Sequence, residues 1–135
     1  MSRLFRDIDG GVLFPQGSVV CIGAFDGLHL GHRALVRHAV ARARALGVPA
    51  VALAFEPLPR EFFAKDNPPP RLMLARDKVA SLRELGVDSV GLLRFDAKMA
   101  ATPAEDFVRQ LLVHRLGVRE VWIGPQFHFG NRRGG

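Results

Sequence analysis

The residues best suited to chemistry lie in one stretch, Gly23 to His32, which is spelled GAFDGLHLGH. His29 and His32 are three positions apart, so they share a face if the stretch opens a helix. Imidazole can donate a proton or a hydrogen bond near neutral pH. The glycines let a ligand approach the backbone, and the first N–H groups of a helix attract anions. This stretch predicts a phosphate site with acid–base capacity.

A simpler interpretation remains for the short HxGH pattern. A strand-to-helix turn could use glycine only for its backbone angles and carry two solvated histidines. The longer string adds Asp26 beside Gly27, with Phe25 before it and the paired imidazoles after it. A turn does not require that much polar chemistry, so the pattern favours phosphate binding.

Strands and helices alternate along the rest of the chain. Apolar runs predict strands, and apolar spacing near 3.6 residues predicts helices. The predicted strands are 18–22, 50–55, 89–95 and 120–123, and the predicted helices are 30–46, 74–85 and 103–116. Thr102-Pro103-Ala104-Glu105 has the form of a capping box that opens the last helix. The alternation predicts an α/β fold, a parallel sheet with helices on both faces.

Two glycine loops are expected to meet in this fold. Gly23 follows the first predicted strand and Gly124 the fourth, and these strands are neighbours in a 3-2-1-4 order. Ligands of such sheets bind beyond the carboxyl ends of the strands. The segment 124–135 could instead be a flexible glycine-rich end, but Phe127, His128 and Arg132 are not typical spacer residues.

A long connection, 56–73, contains five prolines. Loops of this length in compact domains are usually functional or disordered. Phe62 and Phe63 offer flat apolar surface, and Arg60 and Arg71 offer positive charge. We expect this loop to bind a ligand with an aromatic ring and an anionic group, although the two phenylalanines could simply hold the loop against the core.

Composition limits the alternatives. The chain has 135 residues, 48% of them hydrophobic, and a net charge of +6. This size predicts one domain. The sequence has neither the apolar stretch of about 20 residues that crosses a bilayer nor a signal peptide, which predicts a cytoplasmic protein without a membrane partner. The arginines are scattered along helix surfaces, which argues against nucleic acid as a partner. The single cysteine, Cys21, is expected to be a buried apolar residue.

Later segments of the chain point to a family. FEPLPREF at 55–62, RL at 71–72 and GPQFHFG at 124–130 follow the histidine string in that order. Together they resemble the N-terminal FMN adenylyltransferase domain of the bacterial bifunctional FAD synthetases, which are riboflavin kinase/FMN adenylyltransferases. The histidine string alone is also similar to cytidylyltransferases and pantetheine-phosphate adenylyltransferases. The later segments favour the flavin enzyme.

The resemblance implies a Rossmann-like nucleotidyltransferase fold and transfer of AMP from ATP, bound with magnesium, to FMN, giving FAD and pyrophosphate without a covalent intermediate. The implied catalytic residues are His29, His32 and Asp26. The implied ATP-binding residues are Gly23, Ala24, Phe25, His29, Gly31, His32, Gly124, Phe127 and Gly130. The implied flavin-binding residues are Phe55, Pro57, Arg60, Phe62, Arg71 and Gln126.

This sequence departs from the family pattern at Ala24, Leu58 and Gln126, where the family has asparagine, histidine and aspartate. Residues 1–135 are expected to be one adenylyltransferase domain that is incomplete at its C-terminus and lacks the kinase domain. Two alternatives stay open: another nucleotidyltransferase, or a noncatalytic nucleotide- or flavin-binding module. The oligomeric state is open as well.

Overall fold

The computed structural model describes residues 3–6, 10–23, 25, 30–55, 75–94 and 96–124. Strands and helices alternate within these ranges. The strands are β1 (Arg3–Phe5), β2 (Ser18–Ile22), β3 (Ala50–Phe55), β4 (Ser89–Leu93) and β5 (Val118–Ile123). The helices are α1 (Leu30–Leu46), α2 (Ala75–Glu84), α3 (Ala97–Ala100) and α4 (Ala104–Phe107), and α4 continues as a π-helix over Val108–Arg115.

The strands form one parallel sheet in the order β1-β4-β3-β2-β5. The predicted 3-2-1-4 order corresponds to β4-β3-β2-β5 and is confirmed. The sequence analysis missed β1, which adds to the outer edge of β4 by pairing Arg3 with Ser89 and Phe5 with Gly91. A three-residue strand is too short to show a periodic pattern, so only its partner reveals it.

Both faces of the sheet are covered, which confirms the α/β fold class. α1 and α2 pack against one face over a core that contains Val36, Ala39 and Leu82. α3, α4 and the π-helix pack against the other face, where Phe107 and Leu111 are buried. All residues of β2, β3 and β4 are buried, whereas β5 is only partly covered because it lies at the sheet edge.

The predicted capping box is wrong, because the side chain of Thr102 bonds to the preceding helix and not to α4. Asp96 caps α3 by accepting a hydrogen bond from the N–H of Met99 at 2.9 Å. The Thr102 hydroxyl donates to the carbonyl of Lys98 at 2.8 Å, so it completes α3 and does not open α4. Pro103 stands at the N-cap of α4 without a side-chain cap bond.

The winding of the last helix also differs from the prediction. Its buried positions, Phe107, Leu111, Leu112 and Leu116, recur every four to five residues. An α-helix would spread these positions around its circumference. The wider π winding, with i→i+5 hydrogen bonds, keeps them on the face that meets the sheet.

Other boundaries agree closely with the sequence pattern. β2, α1 and β3 have their predicted bounds, β4 ends at Leu93, and β5 begins two residues early at Val118.

Cys21 is fully buried, as expected, and burial raises the pKa of its thiol to about 12. Among the described residues, no helix has the length and apolar character needed to cross a membrane.

Asp88 joins the starts of β3 and β4. Its carboxylate accepts hydrogen bonds from the backbone N–H of Ala50 at 2.8 Å and from Nη1 of Arg44 at 3.0 Å. Its own N–H donates to the carbonyl of Ala50 at 2.8 Å. Ala50 is fully buried, so its N–H depends on this carboxylate.

We predict that Asp88→Ala lowers the free energy of unfolding by about 1–3 kcal/mol, because the buried N–H of Ala50 loses its acceptor. Urea denaturation measures the change. Asp106→Ala serves as a control, since its i,i+3 pair with Arg109 is at the surface and such pairs contribute about 0–1 kcal/mol. Equal losses in the two variants would contradict the prediction.

Candidate nucleotide site

The two glycines expected to meet lie side by side at the carboxyl edge of the sheet. Ile22, the last residue of β2, is the register partner of Ile123, the last residue of β5. The N–H of Gly124 donates to the carbonyl of Ile22 at 3.0 Å, and the N–H of Gly23 donates to the carbonyl of Leu53 at 3.2 Å. The strand pairing therefore brings the starts of both glycine loops together.

Phe25 packs against the residue that begins the first of these loops. Its backbone has φ of 54°, a left-handed conformation that costs a bulky residue about 1–2 kcal/mol. This conformation turns the buried ring back over Gly23, where a Cβ atom would lie 3.0 Å from Cε1 of Phe25. Strained backbone of this kind is found mostly at functional sites.

The first turn of α1 lies next to this loop. His32 is the third residue of the helix, and its ring meets the edge of the Phe25 ring with 5.6 Å between centroids and an interplanar angle of 78°. The first turn has no acidic residue, and Arg33 is exposed there. The helix dipole adds about half a positive charge at this end. The arrangement is suited to binding an anion beside an imidazole.

A polar cluster joins α1 to β5 on the same side of the sheet. It consists of His38, Arg42, Glu120 and Trp122, and we call it the α1–β5 cluster. Arg42 binds Glu120 through two nitrogens, with Nε at 2.9 Å from Oε1 and Nη2 at 2.5 Å from Oε2. The indole N–H of Trp122 donates to Glu120 at 3.1 Å. The His38 ring meets the Trp122 ring edge-on at 4.2 Å.

These contacts change the acidity of Glu120. The hydrogen bonds from Arg42, followed by the smaller effect of Trp122, lower the pKa of the carboxyl from 4.5 to about 2, against a smaller opposing effect of burial. The carboxylate is therefore the stable form through the whole neutral and mildly acidic range.

The structure describes six of the residues predicted for the site. Gly23, Phe25, Gly31, His32 and Gly124 lie at the carboxyl edge of β2 and β5 or in the first turn of α1. Phe55 is the last residue of β3 and is fully buried in the core on the opposite face of the sheet. The remaining predicted residues lie outside the described residues: Ala24, Asp26, His29, Pro57, Arg60, Phe62, Arg71, Gln126, Phe127 and Gly130.

The sequence analysis missed Lys78. This residue is fully buried in the first turn of α2, and that turn lies toward the carboxyl edge because α2 runs back to the start of β4. A signal existed, since Lys78 falls on the apolar face of α2, four positions before Leu82 and seven before Leu85. A lysine at such a position is rarely buried without a specific role.

Gly23→Ala should lower the free energy of unfolding by about 1–3 kcal/mol, because the added methyl group would crowd the buried ring of Phe25. Gly11→Ala is the matched control, since a Cβ atom there would meet nothing within 4 Å. Thermal or urea unfolding compares the two. A Gly23→Ala variant as stable as Gly11→Ala would show that the Phe25 ring moves freely.

A second prediction concerns acid stability. Because folding lowers the pKa of Glu120, its contribution to stability is complete above about 4.5 and is lost as the pH falls toward about 2. Glu120→Gln should therefore flatten the stability profile over that interval, measured by urea denaturation at a series of pH values. An unchanged acid profile in Glu120→Gln would rule out this role for the carboxyl group.

Comparison with known proteins agrees with the geometry. The model of the FAD synthetase family matches residues 13–135. The chain is 42% identical over 134 residues to a bifunctional riboflavin kinase/FMN adenylyltransferase of Escherichia coli and 41% identical over 133 residues to that of Haemophilus influenzae. Each alignment covers 98% of this chain and 43% of the relative. The chain thus spans less than half the length of these curated relatives.

A solved structure supports the fold. It is described as a macrolide-efflux protein from Streptococcus pneumoniae, and it superposes with a TM-score of 0.77 at 25% sequence identity. The match covers 96% of this chain and 44% of that one. With the family match over nearly the whole sequence, the chain belongs to the FAD synthetase family.

Proposed function

We propose that this chain carries FMN adenylyltransferase activity, the transfer of AMP from ATP to FMN that gives FAD and pyrophosphate. The support is the match to the FAD synthetase family and the similarity to relatives named bifunctional riboflavin kinase/FMN adenylyltransferases. The observation that carries the proposal is the meeting of Gly23, Gly124 and the first turn of α1 at one sheet edge.

The chemistry follows from an anion site of this kind. An oxygen of the FMN phosphate forms a bond to the α-phosphorus of ATP while the bond from that phosphorus to pyrophosphate breaks, and pyrophosphate leaves with the electron pair. The protein needs no nucleophile of its own. Its task is to align the two phosphates and to stabilise charge on the phosphorus oxygens.

The residues divide this task between them. In the proposal, His32 and His29 donate hydrogen bonds to the ATP phosphates as charge develops. Asp26 organises the turn between β2 and α1. The backbone at Gly23 and Gly31 gives the phosphates close access, and the Gly124 loop with Phe127 and Gly130 lines the adenine and ribose. Phe55 is buried, so it would act by anchoring the loop whose residues Pro57, Arg60, Phe62 and Arg71 meet the flavin together with Gln126.

Magnesium enters the proposal as part of the MgATP substrate. Within the part of the chain that the structure describes, no three His, Cys, Asp or Glu side chains form a group able to hold a metal ion. The proposed partners are the two small-molecule substrates, and the proposed location is the cytoplasm.

A second candidate is a noncatalytic nucleotide-binding module. Transition-state stabilisation in such transfers requires cationic groups on several sides of the phosphorus. The two candidates differ in turnover and not in binding.

The test is formation of FAD from FMN and MgATP, followed by chromatography, with the full-length Escherichia coli relative as a positive control. We expect the double variant His29→Ala/His32→Ala to lose activity by on the order of a hundredfold, because it removes donors to the developing charge. His114→Ala, an exposed histidine of the π-helix, is the control and should keep full activity.

Three outcomes would change the proposal. Binding of ATP without any FAD would support the noncatalytic module. A product formed from CTP, and none from ATP, would support another nucleotidyltransferase. Unchanged activity in the double histidine variant would overturn the assignment of the catalytic residues.

A further inference from the structure

The proposed nucleotide site is built from two elements far apart in sequence. The phosphate end depends on the first turn of α1, and the other end depends on the loop that leaves β5 at Gly124. A nucleotide bound to both would hold only if the helix keeps its position relative to the strand. A misplacement of about 1 Å in such a site can reduce catalysis by a hundredfold.

Contacts between α1 and β5 advance in step along both elements. Arg42 pairs with Glu120, and one turn earlier on the helix His38 meets Trp122. Leu35 then reaches Gly124, where a Cβ atom would lie 3.7 Å from Cδ2 of Leu35. A helical turn of about 5.4 Å nearly matches two strand residues of about 6.6 Å. This line of contacts therefore leads from the middle of α1 to the nucleotide edge.

The apolar contacts of α1 cannot set its position with the same accuracy. The buried residues of this helix, Val36, Ala39 and Ala43, are small and lack directional groups. A bidentate arginine–carboxylate pair has a defined geometry, and here a third donor, the indole N–H of Trp122, completes it.

The pair is partly buried, with the side chains of Arg42 and Glu120 41% and 25% exposed. It contributes to stability, as the lowered pKa of Glu120 indicates. Its bidentate geometry also fixes a direction, which an apolar contact does not, so the same pair orients α1 relative to β5.

We propose that the α1–β5 cluster positions the first turn of α1 against Gly124 at the end of β5 and thereby sets the affinity of the chain for ATP. This inference rests on the proposed function. His38, Arg42, Glu120 and Trp122 are positioning residues in this proposal, since they act on the nucleotide through the backbone elements that carry them.

The chain contains a matched control for Arg42. Arg44 lies two positions further along α1 and also pairs with a carboxylate, Asp88, at 3.0 Å. That pair ties the helix to the start of β4, which lies three strands away from β5 in the sheet. The two arginines thus share a helix and a type of interaction, but only Arg42 contacts β5.

The test compares ATP binding by calorimetry in the native chain, Arg42→Ala and Arg44→Ala, with magnesium present, and FMN binding in the same three proteins. We expect Arg42→Ala to raise the dissociation constant for ATP about tenfold and to leave FMN binding unchanged. Arg44→Ala should leave both affinities unchanged. The double variant Arg42→Glu/Glu120→Arg, which exchanges the charges, should recover most of the ATP affinity.

A second measurement uses the only tryptophan of the chain, Trp122, as a probe within the cluster. Binding of MgATP should change its fluorescence in the native chain, because the ligand and the cluster would act on the same two elements. Thermal unfolding of each variant separates positioning from general destabilisation.

The outcomes separate this inference from the proposed function. Native ATP affinity in Arg42→Ala, or equal weakening of ATP binding in Arg42→Ala and Arg44→Ala in proportion to their lost stability, would overturn the inference and leave the proposed function intact. Failure of the native chain to bind ATP would overturn both.

Discussion

The pairing of β2 with β5 is the interaction on which the candidate site depends. The two strands come from distant parts of the sequence, yet their register places Ile22 opposite Ile123. Each strand is followed directly by a glycine, Gly23 after β2 and Gly124 after β5, so the two segments that leave the sheet begin side by side. Because all strands are parallel, the first turn of α1 rises from the same edge. A shift in this register would separate the parts of the site.

Local strain and close packing maintain that edge. Phe25 keeps a left-handed backbone because its ring is fully buried against Gly23 and the edge of His32. The energy gained by burying the ring offsets the cost of the conformation. The candidate site is thus partly supported by an aromatic residue that belongs to the core.

The charged residues of α1 differ in their surroundings along the helix. The first turn of α1 carries no acid, and its dipole and Arg33 favour an anion. Further along the helix, Arg42 and Arg44 are each paired with a carboxylate, Glu120 and Asp88. Two of the positive charges in the second half of the helix are therefore balanced by carboxylates of the sheet and the loop before β4. A net charge of +6 alone would not have indicated this arrangement.

The sequence by itself determined the features that depend on neighbouring residues. β2, α1 and β3 lie where their apolar patterns predict them, and the histidine string opens α1 as expected. The meeting of Gly23 and Gly124 also followed from the sequence, once the strands were taken as a parallel sheet with the assumed order. Burial patterns with a fixed period carry this information because they record which side of an element faces the core.

Only the tertiary structure decided the features that depend on distant partners. β1 forms because it pairs with the outer edge of β4. The Thr102 hydroxyl donates a hydrogen bond to α3 because that helix ends next to it. The π winding follows from the surface that the sheet presents to the last helix. The Arg42–Glu120 pair joins residues 78 positions apart. No local pattern encodes these contacts, since each is selected by the shape and polarity of a partner that folding brings near.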